Sequence, residues 1–369
     1  MKVLERSIVY DNPLPQLRSR QSCMPFACEC KDGSILVMHE IGEAFESADK
    51  VPYVAKSFDG GKTWSESKLV LSQDRIDRKE LVSFGCKPAV LSDGRIVAIG
   101  YGFERANKDL PVGNPVPGGL QDDIVFYLVS EDNGETWSDM NEIHCSWGPH
   151  IEASAPLTIL QDGTWITPIT GFPDWEGKMT GPMCGCALRS EDEGKTWNDN
   201  AVCMEFDGKP VTCYEQRMCQ LESGTIVNIG WNENTETGER LNNHFTYSAD
   251  NGKTWSKAAS TGIQGQASSV CAVGGEKLLA LHAVRRDTDR PGVYAYVIDF
   301  SEKTWNIVDE LLVWEPSVPV TRDTKMAEIF AFLKFGQPGA ICLKDGDVIM
   351  THWFAQEGQY RTMVTRMQL

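Results

Sequence analysis

No stretch of about 18 consecutive apolar residues occurs in the 369-residue chain, so no segment has the length to cross a bilayer as a helix. The opening residues, MKVLERSIVYDNPLPQ, lack the apolar core of a secretory leader. These absences set the expectation of a cytoplasmic protein without a membrane partner. Positive charge is also scarce: 35 Lys and Arg face 52 Asp and Glu, for a formal net charge of −17. Nucleic-acid binding needs a basic face to neutralise phosphates, and this composition does not advertise one. It suits a neutral or cationic ligand, or an anion held in a locally basic pocket. A phosphate-cradling glycine loop, an HExxH pair and a Gly-x-Ser-x-Gly elbow are missing too, so no cofactor and no metal is expected. Twelve cysteines are present, but a chain this long can bury a core without disulfides, and Cys28-x-Cys30 and Cys184-x-Cys186 lack the spacing and partners of a zinc knuckle. Reduced, buried thiols are the expectation.

What the chain does have is repetition. The octapeptides Ser57 to Trp64 (SFDGGKTW), Ser130 to Trp137 (SEDNGETW), Ser190 to Trp197 (SEDEGKTW) and Ser248 to Trp255 (SADNGKTW) share one frame, at spacings of 73, 60 and 58 residues. In each, the Asp side chain can accept bonds from the turn's own N–H groups while Gly supplies a positive φ. Four copies mark a repeated supersecondary unit. This is the Asp-box, or BNR repeat, and through it the chain resembles the sialidase-like (neuraminidase) superfamily of six-bladed β-propellers.

A second element precedes each box: an apolar strand, a turn commonly ending in Asp-Gly, and another apolar strand. Its copies run from Phe26 to Glu40, Ala89 to Tyr101, Leu157 to Ile169, Arg217 to Trp231, Ser268 to His282 and Ala340 to Trp353. Six hairpins predict six blades, forming an all-β fold and a single domain over residues 1–369. Blade five keeps only Lys303-Thr304-Trp305 of its box, and blade six has none. The missing outer strand is expected from Leu4 to Tyr10, which would close the ring and remove exposed edges. The Asp-Gly turns and the boxes should share one face. The other face collects the starts of first strands, the ends of second strands, and the long loops Ile41 to Pro52, Gly102 to Asp123, Gly171 to Met183, Asn232 to Asn243 and Trp314 to Gln337.

The resemblance implies three arginines clamping a substrate carboxylate, a Tyr nucleophile polarised by a Glu, and an Asp acid/base. Aligned on the hairpin frame, the family's Glu falls on Glu215. Its Arg-x-Pro arginine falls on Cys23, its second-strand arginine of blade four on Trp231, and its Tyr on Gln337. Other basic groups stand near that face: Arg18 and Arg20 before blade one, Lys87 and Arg217 on two first strands, and Arg285-Arg286 after blade five. Arg suits bidentate carboxylate recognition, so these can form a displaced clamp or simply neutralise acidic neighbours.

Without the Tyr, the simplest hydrolysis uses two carboxylates, one donating a proton to the leaving oxygen and one activating water or attacking directly. Glu215 is the first choice for base or nucleophile. Glu40, ending the second strand of blade one, and Asp49, in the loop where the family's acid/base resides, are its candidate partners. Asp122-Asp123 and Glu152 stand in reserve. Tyr101, Trp231, His282, His352 and Trp353 sit at second-strand ends, where flat rings can stack on a sugar or plug the channel. His150 with Glu152 reads as an acid/base or positioning pair, or as a structural contact. The resulting expectation is an exo-acting glycosidase for a small, neutral or anionic oligosaccharide. A uronate lyase using Tyr101, His352 and Arg285, and a non-catalytic binding propeller, are the rival readings. The sequence carries no signal for oligomeric state.

Overall fold

The computed structural model describes residues 1–317 and 334–369. They form six antiparallel sheets and, among the described residues, no α-helix; one turn of 3-10 helix covers Gln73–Arg75. Blade 1 contains strands Gln21–Glu29, Ile35–Gly42, Val51–Ser57 and Lys68–Leu69, and blade 2 strands Leu81–Val90, Ile96–Arg105, Asp123–Ser130 and Asn141–Glu142. Blade 3 is Trp165–Gly171, Gly185–Ser190 and Asn198–Met204, preceded by a first strand broken into Ile151–Glu152 and Thr158–Ile159. The break coincides with Pro156, which has no N–H for the ladder. Blade 4 is Tyr214–Gln220, Ile226–Trp231, His244–Ser248 and Ala259–Ser260; blade 5 is Ser268–Ala272, Lys277–Val284, Gly292–Asp299 and Asn306–Trp314.

Blade 6 closes the ring as the sequence predicts. Its strands Phe335–Cys342, Val348–Gln356 and Gln359–Gln368 are completed by Lys2–Tyr10, which pairs antiparallel with the last strand from Lys2 opposite Gln368 to Tyr10 opposite Thr362. Its outer edge is thereby paired within the chain.

Each blade is too thin to bury its own faces, so the apolar core lies between blades. One apolar cluster occupies each of the six junctions: Met38 and Phe84 between blades 1 and 2, Ile99 and Leu188 between 2 and 3, Ile166 and Met218 between 3 and 4. Ile229 and Phe300 fill the fourth junction, Leu281 and Met350 the fifth, and Val37 and Ile349 the sixth. Burying each such side chain contributes roughly 1.5–3 kcal/mol.

The Asp-boxes work as their residue types require. In blade 4, Ser248 Oγ accepts the Gly252 N–H at 2.9 Å, and Asp250 Oδ1 accepts those of Lys253 and Thr254 at 3.1 and 2.9 Å. Gly252 has φ of 78°. The box tryptophans reach into the junction with the preceding blade; Trp64, for instance, donates its indole N–H to Ser7 Oγ of blade 6. Asp-Gly turns and boxes do share a face, and adjacent blades are stitched there by Asn133 to Asp32 and Asn251 to Asp162, each at 2.7 Å. All twelve cysteines are free, ten of them buried.

Candidate functional site

The face opposite the boxes opens into a cavity of about 240 Å³ on the propeller axis, walled by first-strand starts, second-strand ends and the long loops. Three first strands carry the same irregularity there. Blade 1 bulges between Cys23 and Phe26, blade 4 between Tyr214 and Arg217, and blade 6 between Gly336 and Gly339. Each bulge places one non-glycine residue in the left-handed region: Met24 at φ 53°, Glu215 at 46° and Gln337 at 38°. All three line the cavity. Such backbone costs on the order of 1–3 kcal/mol per residue and re-aims a side chain out of the pleat, here toward the axis.

Glu215 is held on both oxygens. Trp231 Nε1 donates to Oε2 at 2.8 Å and Gln337 Nε2 to Oε1 at 2.9 Å. The orientation of the Gln337 amide is fixed in turn by Trp353, whose indole N–H can only donate and does so to Gln337 Oε1 at 2.5 Å. Trp353 is fully buried and packs against Phe45 and Tyr360, behind the cavity wall.

Glu152 stands at the start of the broken strand of blade 3, and its two oxygens share the Glu215 N–H at 3.0 Å each. Ser154 Oγ donates to the same carboxylate and accepts Arg217 Nη1 at 3.0 Å. Burial first, and then the Glu215 charge, push the Glu152 carboxyl up to about 7. Burial pulls the Lys87 ammonium down to about 8, with Arg217 adding to the effect, and pulls Arg285 down to about 10. Glu40 is engaged by Lys50 at 2.8 Å. The remaining wall is largely apolar, with Phe45, Tyr101, Phe103, Phe172, Tyr214 and Trp231 contributing rings.

Of the residues anticipated from sequence, the cavity gathers Glu40, Lys87, Tyr101, Glu152, Glu215, Arg217, Trp231, Arg285 and Gln337. Others lie elsewhere. Asp49 is exposed and accepts the Glu43 N–H at 3.0 Å, which makes it a turn stabiliser within its loop. Glu46, three residues earlier, is the acid that this loop presents to the cavity, and burial raises its carboxyl. Arg20 is half-buried near Tyr10, away from the cavity. His150 is buried outside the cavity, with Nε2 3.7 Å from Asp122, and Asp123 caps the Ile151 N–H at 3.0 Å. His282 and His352 are fully buried among Tyr296 and among Trp314 and Phe354, respectively. Burial holds both imidazoles neutral, down to about 3. The expected long connection Trp314 to Gln337 falls mostly outside the described residues. Sequence reasoning missed Glu46, Lys50, Ser154 and Tyr214 at the site; Tyr214 and Ser154 each lie within two residues of a named acid.

Comparison with known proteins bears on the repeats and the fold. A BNR repeat-like domain model matches residues 110–315, and a BNR/Asp-box repeat model matches residues 55–66. A sialidase of Paraclostridium sordellii is 26% identical over 301 residues, covering 73% of this chain and 69% of that protein. Among solved structures, a protein of unknown function from Dyadobacter fermentans superimposes with a TM-score of 0.74 at 18% identity, covering 100% of this chain and 99% of the other. The Hadza microbial sialidase Hz136 gives 0.67 at 17% identity, covering 95% and 66%. The NanB sialidase of Streptococcus pneumoniae, solved with a substituted ethanesulfonate, gives 0.67 at 11%, covering 98% and 70%. With more than half of its length matched by the repeat model, and with its boxes, blades and ring closure in place, the chain belongs to the BNR repeat-like family of sialidase-like six-bladed β-propellers.

Proposed function

We propose that the axial cavity hydrolyses the terminal glycosidic bond of a small sugar, with Glu152 as general acid and Glu215 as the second carboxylate. The observation that carries this reading is the contrast between two neighbouring acids. Burial and the neighbouring charge raise the Glu152 carboxyl to about 7, so that it can hold a proton near neutral pH, while both oxygens of Glu215 already accept N–H donors, from Trp231 and Gln337. Glu152 protonates the leaving oxygen as the bond to the anomeric carbon breaks. Glu215 supports the positive charge developing on the sugar and assists the addition of water. Gln337 offers an amide, which is no nucleophile, so a covalent step through that position is not part of the mechanism. A cavity below the roughly 300 Å³ of ordinary ligand pockets suits one ring, in keeping with exo action. The lyase alternative loses its histidine, because His352 does not line the cavity, and Tyr101 is held protonated by burial and by Glu152.

The test is product analysis on aryl glycosides and small oligosaccharides, with sialosides and uronides in the panel. Release of a saturated sugar is expected. Glu215→Gln should abolish it for every leaving group, whereas Glu152→Gln should retain turnover of dinitrophenyl glycosides, whose departure needs no proton. An unsaturated product, or a Glu215→Gln variant as active as the parent, would refute the reading.

A further inference from the structure

Five aromatic rings form a continuous wall along one side of the cavity. Between ring centroids, Phe103 meets Tyr101 at 5.4 Å, Tyr101 meets Phe172 at 6.2 Å, Phe172 meets Tyr214 at 5.8 Å and Tyr214 meets Trp231 at 5.4 Å. All five line the cavity. Glu152 lies alongside the middle of this wall. Its backbone pairs with Thr170, two residues before Phe172, and after burial its charge is the largest influence holding the Tyr101 and Tyr214 hydroxyls protonated. The remaining polar atom of the five side chains, the Trp231 indole N–H, already serves Glu215.

The wall continues onto two loops, 106–122 of blade 2 and 172–184 of blade 3, which bring Val112, Leu120 and Pro173 to the cavity. The hydrogen-bonding groups of these loops are engaged in holding them together. The Leu120 N–H donates to the Pro173 carbonyl at 3.1 Å and Asn114 Nδ2 to the Trp175 carbonyl at 3.0 Å, tying loop to loop. Gln121 Nε2 donates to the Pro111 carbonyl and Arg105 Nη2 to the Leu110 carbonyl, each at 2.6 Å. Asp174 Oδ1 accepts the N–H groups of Glu176 and Lys178 at 3.1 and 2.9 Å. The surface turned to the cavity is therefore ring, proline and aliphatic, on a braced frame. A second sugar residue laid there would leave hydroxyls without partners, whereas an aromatic group would find edge and face contacts of the kind the wall makes within itself.

We propose that this wall is the leaving-group subsite, and that the substrate is a glycoside of an apolar aromatic alcohol or phenol. The placement rests on the hydrolase reading, in which Glu152 protonates the leaving oxygen. Whatever that oxygen carries lies on the Glu152 side, against Tyr101, Phe172 and Tyr214. A cavity of about 240 Å³ suits one sugar ring, so the aromatic group extends from it toward the loops. Cleavage passes the Glu152 proton to the departing oxygen, while water supplies a hydroxyl to the anomeric carbon and a proton to the carboxylate pair. The products are the free aromatic alcohol and a saturated sugar.

Titration of the intact protein with 2-naphthol tests the wall without turnover. Binding with a Kd at or below about 1 mM is expected for a ligand of this size. Phe172→Ala removes the central ring and should weaken binding about tenfold; Phe172→Leu keeps most of the bulk and should still weaken it about threefold. Val116→Ser, at a 90% exposed position of the same rim and outside the cavity, should leave it unchanged. Turnover supplies the second arm. For the sugar that the hydrolysis panel identifies, the 2-phenylethyl glycoside should exceed the ethyl glycoside about tenfold in kcat/KM, mainly through KM, since both release a simple primary alcohol. Absence of naphthol binding at millimolar concentrations, undiminished binding in both Phe172 variants, a loss in Val116→Ser as large as in Phe172→Ala, or equal kcat/KM for the two glycosides would each overturn the proposal and leave hydrolysis itself standing. Naphthol binding that follows the variants as expected, alongside silence in the hydrolysis panel, would instead sink the hydrolase reading and keep the wall as an aromatic-binding site.

Discussion

Replacing Glu152 by Gln should change how stability depends on pH in a calculable way. Burial and the Glu215 charge raise the folded carboxyl to about 7 from an ordinary value near 4.5. Between those values the folded chain holds a proton that the unfolded chain has released. Lower pH therefore favours folding, and the contribution present below about 4.5 is lost as pH rises to about 7. A difference of about 2.5 units at about 1.4 kcal/mol per unit amounts to about 3 kcal/mol. Gln does not titrate, so the variant differs from the parent by this pH-dependent term plus a constant offset. At about 2.1 cal/mol/K per residue, the unfolding entropy of the chain is about 0.8 kcal/mol/K, so the expected change is roughly 4 °C. Melting temperatures of both proteins should be measured from pH 5 to pH 8. The parent should lose ground to the variant by most of that amount across the interval, and the gap should stop widening above about pH 7. A gap that does not change with pH would show that Glu152 titrates normally, and the assignment of Glu152 as the acid would fall with it.

Ser248→Ala should lower the melting temperature by roughly 2–3 °C without altering turnover, because the buried Gly252 N–H loses its acceptor at a cost of about 2 kcal/mol, far from the cavity; scanning calorimetry beside a rate assay checks both halves. Trp353→Phe should preserve the fold yet reduce kcat about tenfold, since the Gln337 amide loses the donor that points its NH2 group at Glu215. Unchanged kcat would mean that the Gln337 orientation is set by something else. Under the proposed mechanism, kcat should also fall as pH rises through about 7, where Glu152 gives up its proton, and a pH–rate profile would reveal that limb.

The ring was legible in the sequence because its signals are local. Each Asp-box contains its own hydrogen-bond donors and acceptors within eight residues, and the hairpins repeat beside them. The acid Glu215 and its neighbour Arg217 were legible for the same reason, as they sit at a fixed offset from a recognisable turn. His352 was misplaced by a single step of the pleat. Trp353 pairs with Gly336 just as Trp231 pairs with Tyr214 and Glu40 with Cys23, so Trp353, not His352, holds the equivalent position. Adjacent strand residues point to opposite faces, and one-residue errors therefore exchange cavity for core. Bulges add to the difficulty, since they shift this parity without a sequence marker. Glu46 and Lys50 were hidden for a different reason. They lie in a loop whose path is set by contacts with blade 2, such as the Phe84 N–H to Lys50 carbonyl bond at 3.1 Å, and no periodicity encodes such contacts.

The three left-handed bulges amount to interchangeable mounts. The same backbone shape holds a thioether at Met24, an acid at Glu215 and an amide at Gln337, so the conformation does not depend on the chemistry it displays. Reactivity around the axis can thus be rewritten by single substitutions, with the surrounding blades left as they are. Met24 is the mount that carries no polar group, which makes it the natural position at which to install a third one by design or by selection.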